Sequence, residues 1–328
     1  LMQIGRTPMS AQALAEMGSG GAVCGAFREA LTMVENNVPI GNVGHLVQIP
    51  RAALKKILSA KPKIVTVYSL EKAREISRVC TELGLHQKLM LRVLGENDML
   101  YSGQYGGFTL AELKQTVHAI ENMPGVEVGG VCSFPCFLYD EAAGDILPTP
   151  NLSTVQTAAR MLTAWGYKDL MRNTPSATCV HSIPKIAAAG GTHGEPGHGL
   201  TGTTPYHAAH PDAEERPGYL YVSEVSHDLG TKSYCYGGGH YRRGHMKNAL
   251  VGTTLEDAKI VPVLPPDDSS IDYHFELQQN CPVSAAAVMA FRTQFFVTRS
   301  RVAVVKGLSE GKPELAGLYS ALGDPARE

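Results

Sequence analysis

The chain has 328 residues, of which 44% are apolar and 18% charged, an ordinary globular composition that excludes a disordered or fibrous protein. A formal net charge of −2 gives no general attraction to nucleic acid or acidic lipid, so small-molecule chemistry is the better expectation. The longest strongly apolar run, residues 283–291, is too short for a bilayer, no signal-peptide pattern opens the chain, and seven singly scattered cysteines suit a reducing cytoplasm without a structural zinc.

From residue 10 to about 200, short apolar runs alternate with amphipathic helical patterns, which is the pattern of βα units on a parallel sheet. Strand 21–24 precedes helix 26–36, and strand 41–49 precedes helix 51–60, with Pro50 at the helix start. Strand 64–68 is followed by helix 71–83 with Ser69 as an N-cap, and strand 88–94 by a Gly-rich segment and helix 109–122. Strand 126–134, helix 152–165 with Asn151 as its cap, and an extended region at 177–180 continue the series. This is the pattern of a (β/α)8 TIM barrel whose first strand is expected to end near Leu1. In such a barrel the chemistry sits where strands run into loops, and His45, Tyr68, Arg92, Ser133, Ser176 and Glu195 all fall at or near those ends.

Residues 191–202 read Gly-Thr-His-Gly-Glu-Pro-Gly-His-Gly-Leu-Thr-Gly, a composition that forms neither helix nor regular strand and so turns tightly or approaches something closely. Glu195 stands at its centre, with backbone N–H groups on either side for an anion. A solvated turn is the bland alternative. After about residue 212 the pattern becomes strand-only, with short strands at 219–226, 232–236, 249–253, 259–263, 287–298 and 301–306. The expected division is a barrel over 1–211 and an all-β domain over 212–328.

Six stretches taken together carry a resemblance. They are Gly-His-Leu-Val-Gln-Ile at 44–49, Pro-Ser-Ala-Thr at 175–178, Glu-Pro-Gly-His-Gly-Leu-Thr-Gly at 195–202, Tyr-Cys-Tyr-Gly-Gly-Gly at 234–239, Asp-Asp-Ser-Ser-Ile-Asp-Tyr at 267–273 and Phe-Arg-Thr-Gln at 291–294. In this order they resemble the bacterial YhfX protein family, which is similar to alanine racemases and to the fold-type III pyridoxal-phosphate proteins. The resemblance implies pyridoxal 5'-phosphate as cofactor, with Ser176, Gly197, His198 and Gly199 at its phosphate and Glu195 at its pyridine nitrogen. A carboxylate there favours the protonated ring, a strong electron sink. Alanine racemases are similar but place an arginine at that position, whereas the related decarboxylases have Glu-Pro-Gly-Arg.

Two departures from the family pattern matter. Where relatives carry a ring-stacking histidine, this chain reads Cys132-Ser133-Phe134-Pro135, so Ser133 occupies the position and His45 is a second candidate from a neighbouring strand. Where relatives read Lys-Gln-aromatic-Gly-Arg and form the Schiff base, this chain reads Leu1-Met2-Gln3-Ile4-Gly5-Arg6, so either the lysine is replaced, leaving a cofactor-binding or inactive relative, or it is expected next to Met2 and Gln3 without being written. The resemblance further implies a homodimer in which residues 267–272, Asp268 among them, and Arg292 serve a partner's site as candidate catalytic groups. Arg292 suits a substrate carboxylate, and it reads equally as a structural ion-pair partner. A loop holding Gly237, Gly238 and Gly239 before His240, Arg242, Arg243 and His245 suits an anion or is simply solvated.

The leading expectation is a racemase-like enzyme that removes the α-proton of a small amino acid, the carbanion being delocalised into the ring. A D-amino-acid lyase or aldolase, a decarboxylase, and a non-catalytic pyridoxal-phosphate carrier are the alternatives. Similar metal-assisted lyases use His-x-Cys or His-x-Asp in the β domain, which only His274-Phe275-Glu276 approaches here. No metal is expected.

Overall fold

In a computed structural model, residues 7–326 are described, and the stretch on which the expected lysine falls lies outside them. The chain separates into two compact units, Leu1–Leu200 with Ala209–Glu214, and Thr201–Ala208 with Glu215–Glu328.

The first unit opens with α1 (Pro8–Glu16), whose N-cap Thr7 accepts the Ser10 amide. There follow β1 (Ala22–Cys24), α2 (Phe27–Glu35), β2 (Ile40–Val43), α3 (Arg51–Ser59), β3 (Ile64–Val67), α4 (Leu70–Leu83) and β4 (Gln87–Leu94). Beyond them come β5 (Phe108–Thr109), α5 (Leu113–Glu121), β6 (Val126–Cys132), the hairpin of β7 (Phe137–Asp140) and β8 (Asp145–Pro148), α6 (Pro150–Ala164), β9 (Met171–Asn173) and α7 (Ile183–Ala188). The main sheet is parallel in the order β1-β2-β3-β4-β6-β9, β5 adds to β4, and a one-residue parallel bridge from Asn173 to His193 supplies the next strand position. Because successive strands are spatial neighbours, their C-terminal ends share one rim and the βα loops gather there. The helices pack by an ordinary apolar stripe: in α4, Ala73, Ile76, Val79 and Cys80 are buried at i, i+3, i+6 and i+7, Ser69 caps the first turn, and Gly84 closes the last at φ +63°.

Several local expectations are corrected. The strand expected over 41–49 ends at Val43, because Gly44 turns at φ +91° so close to Thr66 that a Cβ would lie 2.4 Å from its carbonyl oxygen. The extended region expected at 177–180 is a turn leading into a 3₁₀ helix (Val180–Ser182), and the strand is β9, which ends at Asn173 in a Met-Arg-Asn stretch that no apolar run marks. Asn151 does not cap α6. Its buried amide bonds Met99 and Ser133 instead, and Thr149 holds the cap position.

The second unit begins near α8 (Pro205–Ala209) and contains β10 (Tyr221–Asp228), β11 (Ser233–Tyr236), β12 (Asn248–Gly252), β13 (Lys259–Leu264), β14 (His274–Leu277) and β15 (Ala286–Met289). These six close into an antiparallel barrel in the order β10-β11-β14-β13-β12-β15, filled by Val225, Cys235, Val251, Val261, Phe275 and Met289 among others. A separate antiparallel hairpin, β16 (Val302–Lys306) with β17 (Glu314–Tyr319), follows. The strand expected to run from 287 to 298 stops at Met289, and β14 and β17 were not anticipated. No helix among the described residues is long and apolar enough to cross a membrane.

Candidate active site

Glu195 lies two residues beyond the bridging His193, at the strand-end rim of the first unit. Its Oε1 accepts hydrogen bonds from Asn173 Nδ2 at 2.6 Å and Asn42 Nδ2 at 3.4 Å, while its Oε2 stands 3.4 Å from His45 Nε2. Its backbone N–H donates to Thr178 Oγ1 at 3.2 Å. Three strands therefore converge on one carboxylate: β2 brings Asn42 and leads into His45, β9 ends in Asn173, and β3 carries Thr66, whose hydroxyl donates to Asn42 Oδ1 at 2.9 Å.

His45 is fully buried, its ring edge-on to Phe134 at 5.3 Å between centroids. Burial lowers its pKa; the Glu195 carboxylate opposes this and the Arg92 guanidinium adds to it, so the imidazole is held toward its neutral form. Arg92, on β4, is itself fully buried, donating from Nη1 to Tyr68 Oη and from Nη2 to the Gln104 carbonyl, both at 2.8 Å. Tyr68 in turn donates to the His45 carbonyl, which couples Arg92 to the loop that carries His45. Cys132, ending β6, has its thiol pushed up to about 12 by burial and by Glu195, so it is a neutral neighbour rather than a nucleophile.

The residues expected around a phosphate are placed as follows. Ser176 and Ala177 adopt φ of +117° and +50°, conformations that L side chains rarely take. The loop with Gly197, His198 and Gly199 runs against this turn so closely that a Cβ on Gly199 would lie 2.2 Å from the Thr178 carbonyl oxygen. Ser133, also at the rim, is buried, with its hydroxyl bonded to Asp98 Oδ2 at 3.3 Å and to Asn151 Nδ2 at 3.0 Å.

Asp268 and Arg292 belong to the second unit. Asp268 forms an exposed ion pair with Arg242 at 2.5 Å, and the Arg292 charge opposes the burial-driven rise of the Tyr219 pKa. The Gly-rich turn of this unit has an anion within the chain: Asp272 Oδ2 accepts from the Gly238 and His240 amides at 3.0 Å each, and Asp272 Oδ1 from Arg299 Nη1 at 2.7 Å. Those two amides are therefore committed internally.

Asn42, Thr66 and Asn173 were missed from sequence. The available signal was a polar residue inside a short strand that is otherwise apolar or buried, as in Ile-Gly-Asn-Val and Ile-Val-Thr-Val. Three buried polar atoms beside Glu195, Asn173 Oδ1 and both ring nitrogens of His45, make no hydrogen bond among the described residues. A carboxylate that is 10% exposed, with orphaned polar atoms around it and a Gly-lined turn beside it, fits a nitrogen-containing ring that carries a phosphate.

Comparison with known proteins agrees with this layout. Residues 8–205 match the alanine racemase N-terminal domain family. Among solved structures, D-threonine aldolase from Filomicrobium marinum is 12% identical with a TM-score of 0.68, covering 98% of this chain and 86% of that one. Alanine racemase from Clostridium difficile 630 is 14% identical with a TM-score of 0.61, covering 88% and 76%. A point mutant of diaminopimelate decarboxylase from Helicobacter pylori, complexed with L-lysine, is 14% identical with a TM-score of 0.59, covering 89% and 79%. The fold is thus that of the alanine-racemase-like, fold-type III pyridoxal-phosphate proteins, a barrel domain followed by an all-β domain.

Within that class, residues 220–315 match the YhfX-like C-terminal domain, and the YhfX protein of Escherichia coli (strain K12) is 44% identical over 324 residues, 98% of this chain and 83% of that protein. The chain belongs to the YhfX family.

Proposed function

We propose that the chain is a pyridoxal-phosphate-dependent enzyme acting at the α-carbon of a small amino acid, most simply as a racemase. The observation that carries this reading is the Glu195 carboxylate, held at the rim by two asparagine amides on one oxygen with the other facing His45. Glu195 would hold the cofactor's pyridine nitrogen, and Ser176, Gly197, His198 and Gly199 its phosphate. When bound, the cofactor supplies an electron sink for α-carbon chemistry. The Glu195 carboxylate would stand where a ring proton is wanted, and His45, buried and held toward its neutral form, faces that same carboxylate. Asp268 and Arg292 are proposed to serve the site of a second copy in a homodimer.

The cofactor reading predicts that purified full-length protein is yellow or becomes so with added pyridoxal phosphate, and that borohydride removes the colour. A chain that stays colourless and retains no cofactor on gel filtration would remove the assignment. The dimer reading predicts that Asp268→Asn slows turnover by about tenfold or more while cofactor retention stays unchanged. Full turnover in that variant, or full wild-type activity from a monomer, argues against it.

A metal-assisted lyase or aldolase is a second reading, favoured by the aldolase likeness, which shows the fold alone at 12% identity. The donor that would be needed is engaged elsewhere. Glu276 Oε2 accepts from Lys232 Nζ and Tyr234 Oη at 2.8 Å each, and Oε1 from Gln278 at 2.7 Å, bonds a metal would have to displace. Racemase chemistry is preferred for that reason.

A further inference from the structure

We propose that Tyr101 walls the cofactor site and that a hydrogen-bonded anchor built from Asp98, Asn151, Ser133 and Thr154 holds it there. The wall rests on the proposed cofactor reading for its ligand, whereas the anchor stands on the chain alone. Residues 95–107 join β4 to β5 at the strand-end rim with no helix or strand of their own, so their order must come from side chains. The loop is pinned at two places. At the first, the Asp98 carboxylate accepts from the Gly95 amide at 2.9 Å, from Thr154 Oγ1 at 2.6 Å and from Ser133 Oγ at 3.3 Å. Beside it, Asn151 engages both polar groups of the Met99 backbone, as a neighbouring strand would: Oδ1 accepts the N–H at 3.0 Å and Nδ2 donates to the carbonyl at 3.1 Å. Nδ2 also donates to Ser133 Oγ at 3.0 Å, which leaves the one Ser133 proton for Asp98. At the second place, Arg92 Nη2 donates to the Gln104 carbonyl at 2.8 Å, and the Gln104 N–H closes a turn onto the Tyr101 carbonyl at 3.0 Å.

Ser133, Asn151, Thr154 and Arg92 are all buried, so water does not compete for these bonds. Between the two pins, Tyr101 sets its ring 5.7 Å from Phe134, Phe134 stands edge-on to His45 at 5.3 Å, and His45 Nε2 lies 3.4 Å from the Glu195 carboxylate. One run of rings thus leads from the loop to that carboxylate. Tyr101 and Phe134 are each half-buried, so part of both rings stays open toward a planar ring held at Glu195. Because the anchor lies wholly within the chain, the loop is ordered before a ligand arrives, and binding carries no loop-ordering penalty. Asp98, Asn151 and Ser133 are positioning residues that act through Tyr101.

The test uses pyridoxamine 5'-phosphate, a fluorescent probe that needs no Schiff-base lysine, on the full chain. Tyr101→Ala is expected to weaken probe binding about tenfold or more and to open the bound probe to acrylamide quenching, whereas Tyr101→Phe, which keeps the ring, is expected to match wild type. Asn151→Leu is expected to act like Tyr101→Ala and to add little in the Tyr101→Ala background, because its effect passes through that ring. Hydrogen exchange reads the anchor by itself: residues 96–104 are expected to exchange slowly in the wild-type chain and about tenfold faster or more in Asn151→Leu, with β3 and β4 unchanged. Thermal unfolding screens the variants, and Ser133→Ala, which removes the bridge between Asp98 and Asn151, takes the place of Asn151→Leu if the latter fails to fold. Unchanged affinity and quenching in folded Tyr101→Ala overturn the wall. Fast exchange of residues 96–104 in wild type, or additive effects of the anchor and Tyr101 variants, overturn the anchor. If the wild-type chain binds no pyridoxamine phosphate, the cofactor reading falls and the wall with it, while hydrogen exchange still decides the anchor.

Discussion

Glu195→Gln is expected to lower turnover by roughly 10²–10³, the effect of removing one charge-stabilising contact worth about 3–4 kcal/mol in the transition state. The geometry also says how the new side chain would sit. Asn173 and Asn42 both point N–H groups at the Oε1 position, so the introduced amide must place its carbonyl there and its NH2 where Oε2 was. A donor then replaces an acceptor opposite the proposed ring nitrogen, which favours the unprotonated ring. The turns around Ser176 and Gly197–Gly199 are untouched, so cofactor retention should persist while the absorption spectrum and its pH dependence change. Wild-type turnover with an unchanged spectrum would reduce Glu195 to a turn residue and take the decarboxylase-like electronics with it.

Phe275→Ala is expected to destabilise the second unit by about 3–5 kcal/mol, the usual cost of removing a fully buried aromatic ring and leaving a cavity. Phe275 is fully buried on β14 at the centre of the closed barrel, with Tyr221 edge-on at 5.9 Å and His240 at 6.2 Å. Because β14 pairs with both β11 and β13, its loss of packing reaches two neighbouring strands. Native-state hydrogen exchange should therefore show faster exchange in β11, β13 and β14 together, with the parallel sheet of the first unit as the internal reference. A loss under about 1 kcal/mol would mean that the barrel collapses around the gap without difficulty.

The alternation of apolar runs and amphipathic helices was enough to read the parallel βα series, because each buried strand and each helix stripe carries its own periodicity. One helix start with a side-chain cap was legible too: Ser69 caps α4 as its position implied, whereas the Thr7-capped start of α1 was not read. The change to short strands after the barrel was also legible. The family resemblance, carried by six ordered motifs, agrees with the match to the YhfX-like and alanine racemase N-terminal families. Two of the missed strands share a cause. Strand β9 is three residues long, and β14 only four, so neither offers enough sequence for a period to emerge.

The site divides in the same way. Glu195 stood out because a carboxylate in a glycine-rich loop cannot be explained by helix or strand propensity. Asn42, Thr66 and Asn173 did not, because each is a single polar residue in a short strand, and nothing local distinguishes a polar side chain turned to solvent from one turned inward. Only the parallel pairing β1-β2-β3 on one side, and the β9 bridge to His193 on the other, brings residues 42, 66, 173 and 195 to the same rim. Burial then decides their roles, since a buried amide must give its N–H to whatever acceptor the fold supplies, and here the fold supplies one carboxylate oxygen.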